Sequence, residues 1–212
     1  MKQRRGFIYA AGQYTAEDLR LYKRIKHLED DLILCADGGY DAISLNGIIP
    51  HAVIGDMDSV RGEIPDGILT VRYPSEKDQT DLEICIDYAI SEGCTQIVML
   101  GVLGGRLDHT IGALCAMRYA LERGAVPLIL HKGTCVYLID GYMTLSRENY
   151  KHISLIPCTS SVEGVITKGL KYELDNAGLL QSESLGISNE FYNNTVEISV
   201  GEGLLFAVCT EE

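Results

Sequence analysis

No stretch of this 212-residue chain approaches the ~18 consecutive apolar residues that a membrane-crossing helix needs. The start, MKQRRGFIYAAGQYTAEDLR, is basic, but its apolar run covers only about five residues before Gly12 and Gln13, short of the ~7 of a secretory h-region. Both absences point to the cytoplasm. Positive charge is also scarce: 18 Lys and Arg stand against 30 Asp and Glu, a formal net charge of -12, and no basic run follows KQRR. A protein that lives on nucleic acid by displacing counterions presents at least one basic face, so that class is disfavoured. An acidic chain still binds phosphorylated small molecules where metal cations mediate. The seven cysteines, at 35, 85, 94, 115, 135, 158 and 209, form no CxxC pair and no tetrahedral zinc spacing. They read as reduced, buried, small apolar residues. Tryptophan is missing altogether.

Several catalytic signatures are missing too. No GK[ST] follows a glycine run, no complete GxGxxG opens a helix, and no GxSxG elbow or Ser-His-Asp order is found. Covalent catalysis is not indicated. There is no internal repeat and no low-complexity tract.

What is present is a rhythm of short apolar runs alternating with segments of helical period. GFIYAAG, LILCADGG, AVIGDMDS, ILTVRYP, QIVMLGVLGG and VPLILH read as strands. TAEDLRLYKRIKHLE reads as a helix capped by Thr15, with Leu19, Tyr22, Ile25 and Leu28 on one stripe. TDLEICIDYAISEG opens on Thr80 as N-cap and ends on Gly93, and DHTIGALCAMRYALERG is a third helix. Alternation of this kind implies βαβ units, a Rossmann-like parallel sheet with flanking helices, and a ligand site beyond the carboxyl ends of its strands. From about residue 134 the runs become short, β-branched or aromatic and are separated by Gly, Asn and Ser, the pattern of an antiparallel sandwich or barrel. The expected division is an α/β domain over 1–135 and a smaller all-β sandwich domain over 136–212.

The expected strand ends carry acids. In GDMDS, Asp56 and Asp58 stand two apart and point the same way in extended backbone. Asp37 closes LILCAD, and Asp78 and Asp81 stand three apart in EKDQTDLE, on one face if that turn is helical. Such carboxylates repel one another unless cations intervene, and hard oxygen ligands favour Mg²⁺ shared with substrate phosphates. Taken singly, each is as readily a turn-former or a cap. Lys77 offers a point charge for a phosphate or is an ordinary solvated lysine. In GVLGGRLDHT, Gly101, Gly104 and Gly105 let backbone N–H groups face an anion at a helix start, where Arg106 can grip phosphate and Asp108 can orient a hydroxyl or metal-bound water. His109 is either an acid-base group or a structural hydrogen-bonder, and the other histidines have no partner at any readable spacing.

These motifs resemble those of the thiamin pyrophosphokinase family: CADGGYD (35–41), VIGDMDSV (53–60), EKDQTDLEICIDYA (76–89), LGVLGGRLDHTIG (100–112), then GLKYEL (169–174) and GISNEF (186–191), in the family's order over nearly the whole chain. The resemblance implies Mg²⁺-dependent transfer of the pyrophosphoryl group of ATP to the thiamin hydroxyl, with AMP as the other product. It implies an ATP- and Mg-binding first domain, a thiamin-binding and dimerising second domain, and a homodimer with active sites between subunits. Residue by residue, it implies metal ligation by Asp56, Asp58, Asp78 and Asp81. Nucleotide contacts fall to Asp37, Gly38, Gly104, Gly105, Arg106 and His109, catalytic roles to Lys77, Asp81, Arg106 and Asp108, and thiamin contacts to Asp81, Asp108, Ser188 and Asn189. Asp81 or Asp108 is the base. Eukaryotic members stack a tryptophan on thiamin; Phe191 and Tyr192 are the flat surfaces available instead, or else belong to the core or rim of the sandwich. Two other readings remain: a pyrophosphokinase for another alcohol such as a hydroxymethyl-pterin, and a non-catalytic Mg-nucleotide-binding module.

Overall fold

The computed structural model describes residues 4–12 and 14–211. The fold is mixed α/β, and the chain divides into two compact units, Met1–Lys132 and Gly133–Glu212. In the first unit six strands pair in parallel: β1 (Arg5–Tyr9), β2 (Leu32–Ala36), β3 (Ala52–Gly55), β4 (Leu69–Arg72), β5 (Gln96–Leu100) and β6 (Val126–His131). Their order is β6-β5-β1-β2-β3-β4. The chain steps outward from β1 to β4, then returns to β5 on the other side of β1. The strand order therefore reverses at β1 and β5, the kind of position beside which ligands bind in open α/β sheets. All five residues of β2 and all four of β3 are buried, as expected for strands covered on both faces.

Helices α1 (Ala16–Arg24) and α2 (Gly39–Ser44) cover one face, where Tyr22, Tyr40 and Ile43 pack on Phe7, Tyr9, Ile33, Cys35 and Val53. Helix α3 (Asp81–Ser91) covers the other face, and α4 (Leu107–Glu122) packs beside it. A Cβ on Gly6 would lie 3.1 Å from Ala89 of α3, so the two backbones approach closely there. The caps form as expected. The Thr15 hydroxyl accepts from the Asp18 N–H while the Asp18 carboxylate accepts from the Thr15 N–H, and Thr80 and Glu83 repeat this capping box at α3.

One expectation is corrected, and one helix was not expected. The first helix ends at Arg24, not near residue 29, and Leu28 is exposed. Asp31 accepts hydrogen bonds from the Leu28 N–H and from the Arg5 side chain on β1, which holds this segment in a loop and overrides its helical period. Helix α2, only six residues long, lacks the length that a periodic signal needs.

The second unit is built of antiparallel strands in two groups. One has the order β12-β9-β14-β7, made of β12 (Asn189–Glu190), β9 (His152–Pro157), β14 (Leu205–Thr210) and β7 (Thr134–Ile139). The other has the order β11-β10-β13-β8, made of β11 (Ala177–Leu180), β10 (Ser161–Lys168), β13 (Thr195–Ser199) and β8 (Tyr142–Ser146). Burial alternates along β9 and β13, which face a core on one side only. The run EGVITKGLKYEL breaks after Lys168: residues 169–174 fold back, and the Leu174 N–H donates to Thr167 Oγ1 at 2.8 Å.

Candidate active site

Asp37, Asp56 and Asp58 lie together at the carboxyl ends of β2 and β3, with one oxygen from each within 4.8 Å of the others. The backbone creates the cluster. The Asp37 N–H donates to the Ile54 carbonyl at 2.9 Å, and both Asp37 (φ 46°) and Met57 (φ 69°) adopt left-handed backbone that turns the two loops toward each other. Gly55, with φ 154°, is needed between them: a Cβ there would stand 2.9 Å from the Asp37 Cβ and 3.3 Å from the Asp81 Cγ.

Asp37 is 6% exposed, and its Oδ1 has no hydrogen-bond partner among the described residues. Its Oδ2 accepts from the Ser59 N–H at 3.3 Å. Burial, reinforced by the nearby charges of Asp58 and Asp81, pushes the Asp37 carboxyl above its ordinary range despite that bond. An unpaired carboxylate oxygen buried beside two further acids is costly unless something positive arrives. A hard cation fits this donor set, which is all oxygen and of one charge.

Asp81 begins α3, and Lys77 Nζ lies 2.7 Å from its Oδ1. Both are partly buried. Asp78 is exposed and stands outside the three-acid cluster. Gly38 opens the turn after Asp37 as the residue before α2.

The turn after β5 carries Gly101 and Gly104 in left-handed backbone, with Gly105 beside them, and leads into α4. Arg106 grips Asp108 with two hydrogen bonds, 3.1 Å and 2.6 Å, and the Asp108 Oδ1 accepts the His109 N–H at 3.0 Å. All three side chains are exposed. The hydrogen bond from Arg106 holds the Asp108 carboxyl below the usual carboxylate range, which makes it a poor proton acceptor. This turn and the acid cluster share one edge of the sheet, three strand steps apart from β5 to β3, or about 14 Å.

In the second unit Ser188 is exposed at φ 60°, and its N–H donates to Ser154 Oγ. Asn189 is buried and its amide is committed: Nδ2 donates to the Tyr172 carbonyl at 2.7 Å, and Oδ1 accepts the N–H groups of Tyr172 and Glu190. It fixes the loop that displays Tyr172. Phe191 is core at 6% exposed, whereas Tyr192 is 78% exposed, so the two residues that the sequence offered as flat surfaces part company.

Two family models match the chain. Residues 26–129 match the catalytic domain of thiamin pyrophosphokinase, and residues 143–205 match its vitamin B1 binding domain. The chain belongs to the thiamin pyrophosphokinase family. Thiamine pyrophosphokinase of Bacillus subtilis is 28% identical over 85% of this chain and 87% of its own. Solved structures of thiamin pyrophosphokinases from Bacillus subtilis and Geobacillus thermodenitrificans superpose with TM-scores of 0.86 and 0.81 at 25% and 26% identity. They cover 99% of this chain in both cases, and 100% and 98% of their own. The acid cluster and the glycine turn both fall within the residues that match the thiamin pyrophosphokinase catalytic domain.

Histidine is where sequence reasoning missed most. His27 Nε2 meets the Tyr9 hydroxyl at 3.1 Å, and His51 Nδ1 accepts the Ile33 N–H at 3.0 Å. His131 Nδ1 stands 3.1 Å from Oδ1 of Asp18, a carboxylate 1% exposed. The only local hint of the last pair is the Thr15 to Asp18 capping spacing, which says nothing about His131.

Proposed function

We propose that this chain transfers the pyrophosphoryl group of ATP to the hydroxyl of thiamin in a Mg²⁺-dependent reaction, giving thiamin diphosphate and AMP. The observation that carries the ATP and metal half of this reading is the Asp37, Asp56 and Asp58 cluster with its unpaired buried oxygen. The match of residues 143–205 to a vitamin B1 binding domain supports thiamin over a pterin alcohol as acceptor.

In this reading Asp37, Asp56 and Asp58 would hold Mg²⁺, with Asp81 beside them. Bound metal would neutralise phosphate charge, the main requirement of phosphoryl-type transfer. The N–H groups of the turn with Gly104 and Gly105 and the Arg106 guanidinium face the nucleotide. The thiamin hydroxyl oxygen bonds to the β-phosphorus as the bridge to the α-phosphate breaks, and AMP leaves with that oxygen. Lys77, now paired with Asp81, turns to the transferring phosphates and frees the Asp81 carboxylate to take the hydroxyl proton. Asp108, already bound by Arg106, orients rather than accepts. Ser188 and the loop that Asn189 holds lie on the thiamin side, with Tyr192 as the exposed ring.

A cytoplasmic homodimer with active sites between subunits belongs to the same reading. No helix among the described residues is long and apolar enough to cross a membrane, and none of the seven cysteines forms a disulfide. Purified protein incubated with ATP, MgCl₂ and thiamin, with hydroxymethyl-pterin in a parallel reaction, should release AMP stoichiometrically with thiamin diphosphate. AMP only with the pterin, or with neither acceptor, refutes the proposal.

A further inference from the structure

Beneath the glycine turn lies a buried polar assembly to which no role falls in the reaction above. Asp18 divides its carboxylate between two elements. Its Oδ2 accepts from the Thr15 N–H (2.9 Å) and hydroxyl (2.7 Å) at the start of α1, and its Oδ1 lies 3.1 Å from His131 Nδ1 at the end of β6, an ion-pair distance without hydrogen-bond geometry. A helix cap needs no histidine, and burying a carboxylate to 1% exposure is costly. Lys132 Nζ, 3.2 Å from Glu17 Oε2, ties the same two elements a second time.

His131, beside Asp18, also neighbours the glycine turn. A Cβ on Gly104 would be in ordinary van der Waals contact with the imidazole, 3.5 Å from His131 Cε1 and 3.6 Å from Nε2, so the far edge of the ring faces the turn, at a residue with φ 81°, across about the width of a methyl group. The opposite side is closed. A Cβ on Gly101 would meet the Tyr14 ring and hydroxyl at 2.9 Å, and a Cβ on Gly12 would overlap the Gly101 carbonyl oxygen. The turn lies between Tyr14, close against Gly101, and His131, which faces Gly104.

We infer that His131, oriented by Asp18, is a positioning residue for the nucleotide: it sets the turn over residues 101–106 in the geometry that receives the phosphates. This rests on the nucleotide reading of that turn. It extends the site to a strand end, β6, and a helix start, α1, that carry none of the residues assigned above.

The test is calorimetric titration of the Mg²⁺ complex of a non-hydrolysable ATP analogue into wild type, His131→Ala, His131→Gln and Asp18→Asn. Mn²⁺ alone and the melting temperature serve as controls. His131→Ala should weaken analogue binding about tenfold and raise the KM for ATP to match, with kcat within about twofold and Mn²⁺ affinity at the acid cluster unchanged. His131→Gln, whose amide still fills the space by Gly104, should recover to within about threefold of wild type. Asp18→Asn combined with His131→Ala should be no worse than His131→Ala alone, since the two act as one unit. Unaltered analogue binding by His131→Ala overturns the inference while leaving the nucleotide reading intact; a loss of Mn²⁺ affinity and melting temperature in proportion to analogue binding overturns it in favour of a general packing role. Failure of the wild type to bind the analogue overturns both readings.

Discussion

Replacing Asp37 by Asn should make the metal-free protein more stable and the metal-loaded protein less so. The substitution is isosteric, and asparagine tolerates the left-handed backbone that Asp37 occupies at φ 46°. With its amide oxygen in the place of Asp37 Oδ2, the Asn accepts from the Ser59 N–H as Asp37 does, so what is lost is one charge in a group of three whose oxygens lie within 4.8 Å. Two unit charges at that distance repel by about 3.5 kcal/mol at an effective dielectric of ~20 and by about 1 kcal/mol with water-like screening. Asp58 is exposed, so the lower figure weighs more, and the relief over two pairs is about 2 kcal/mol. For a chain of this size that raises Tm by roughly 4–8 °C in EDTA. In wild type, Mg²⁺ at a hundredfold excess over its Kd contributes about 2.7 kcal/mol, or roughly 5–11 °C, and Asp37→Asn should forfeit most of that shift. Calorimetric melting of both proteins in EDTA and across a MgCl₂ series reads the crossing directly. If Asp37→Asn melts several degrees below wild type in EDTA and keeps the full Mg²⁺ response, the acid is structural and the metal reading of the cluster is wrong.

Two other outcomes follow from the geometry. Gly55→Ala introduces a Cβ 2.9 Å from that of Asp37 on backbone at φ 154°; it should cost about 2 kcal/mol and shrink the Mg²⁺-dependent rise in Tm, and a variant with wild-type Tm and metal response refutes the steric account. Burial pushes the Asp31 carboxyl up, but the hydrogen bonds from Arg5 and from the Leu28 N–H outweigh it and hold the carboxyl below its ordinary range. That stabilisation is present above the unfolded value of about 3.9 and fades as pH falls through the lower folded value. Asp31→Asn should therefore cost about 2–3 kcal/mol at pH 7, with a gap to wild type that narrows below about pH 4 in urea melts; a gap independent of pH rules out the linkage.

How much was legible differs from element to element for physical reasons. Thr15, Thr80 and Gly93 announce helix ends by local chemistry, and each sits at the helix end that the sequence indicates. Strands β2 and β3 are continuous apolar runs buried along their whole length because both faces of the sheet are covered there, and such runs need no partner to be recognised. Strands β11 and β12 are short and only partly buried, so they offer neither run nor alternation.

By itself, then, the sequence determined local backbone chemistry and an acid at each of several strand ends, because caps, periods and glycine-flanked aspartates act over a few residues. Tertiary structure alone decided which acids meet. Asp37 joins Asp56 and Asp58 because β2 and β3 are neighbours and Gly55 lets their loops close, while Asp78, equally acidic in the sequence, is left in solvent. It also decided that Asn189 would brace a loop, that Phe191 would be buried where Tyr192 is bare, and that Asp18 would find His131 across the sheet. Those pairings depend on strand order, and no window of neighbouring residues encodes strand order.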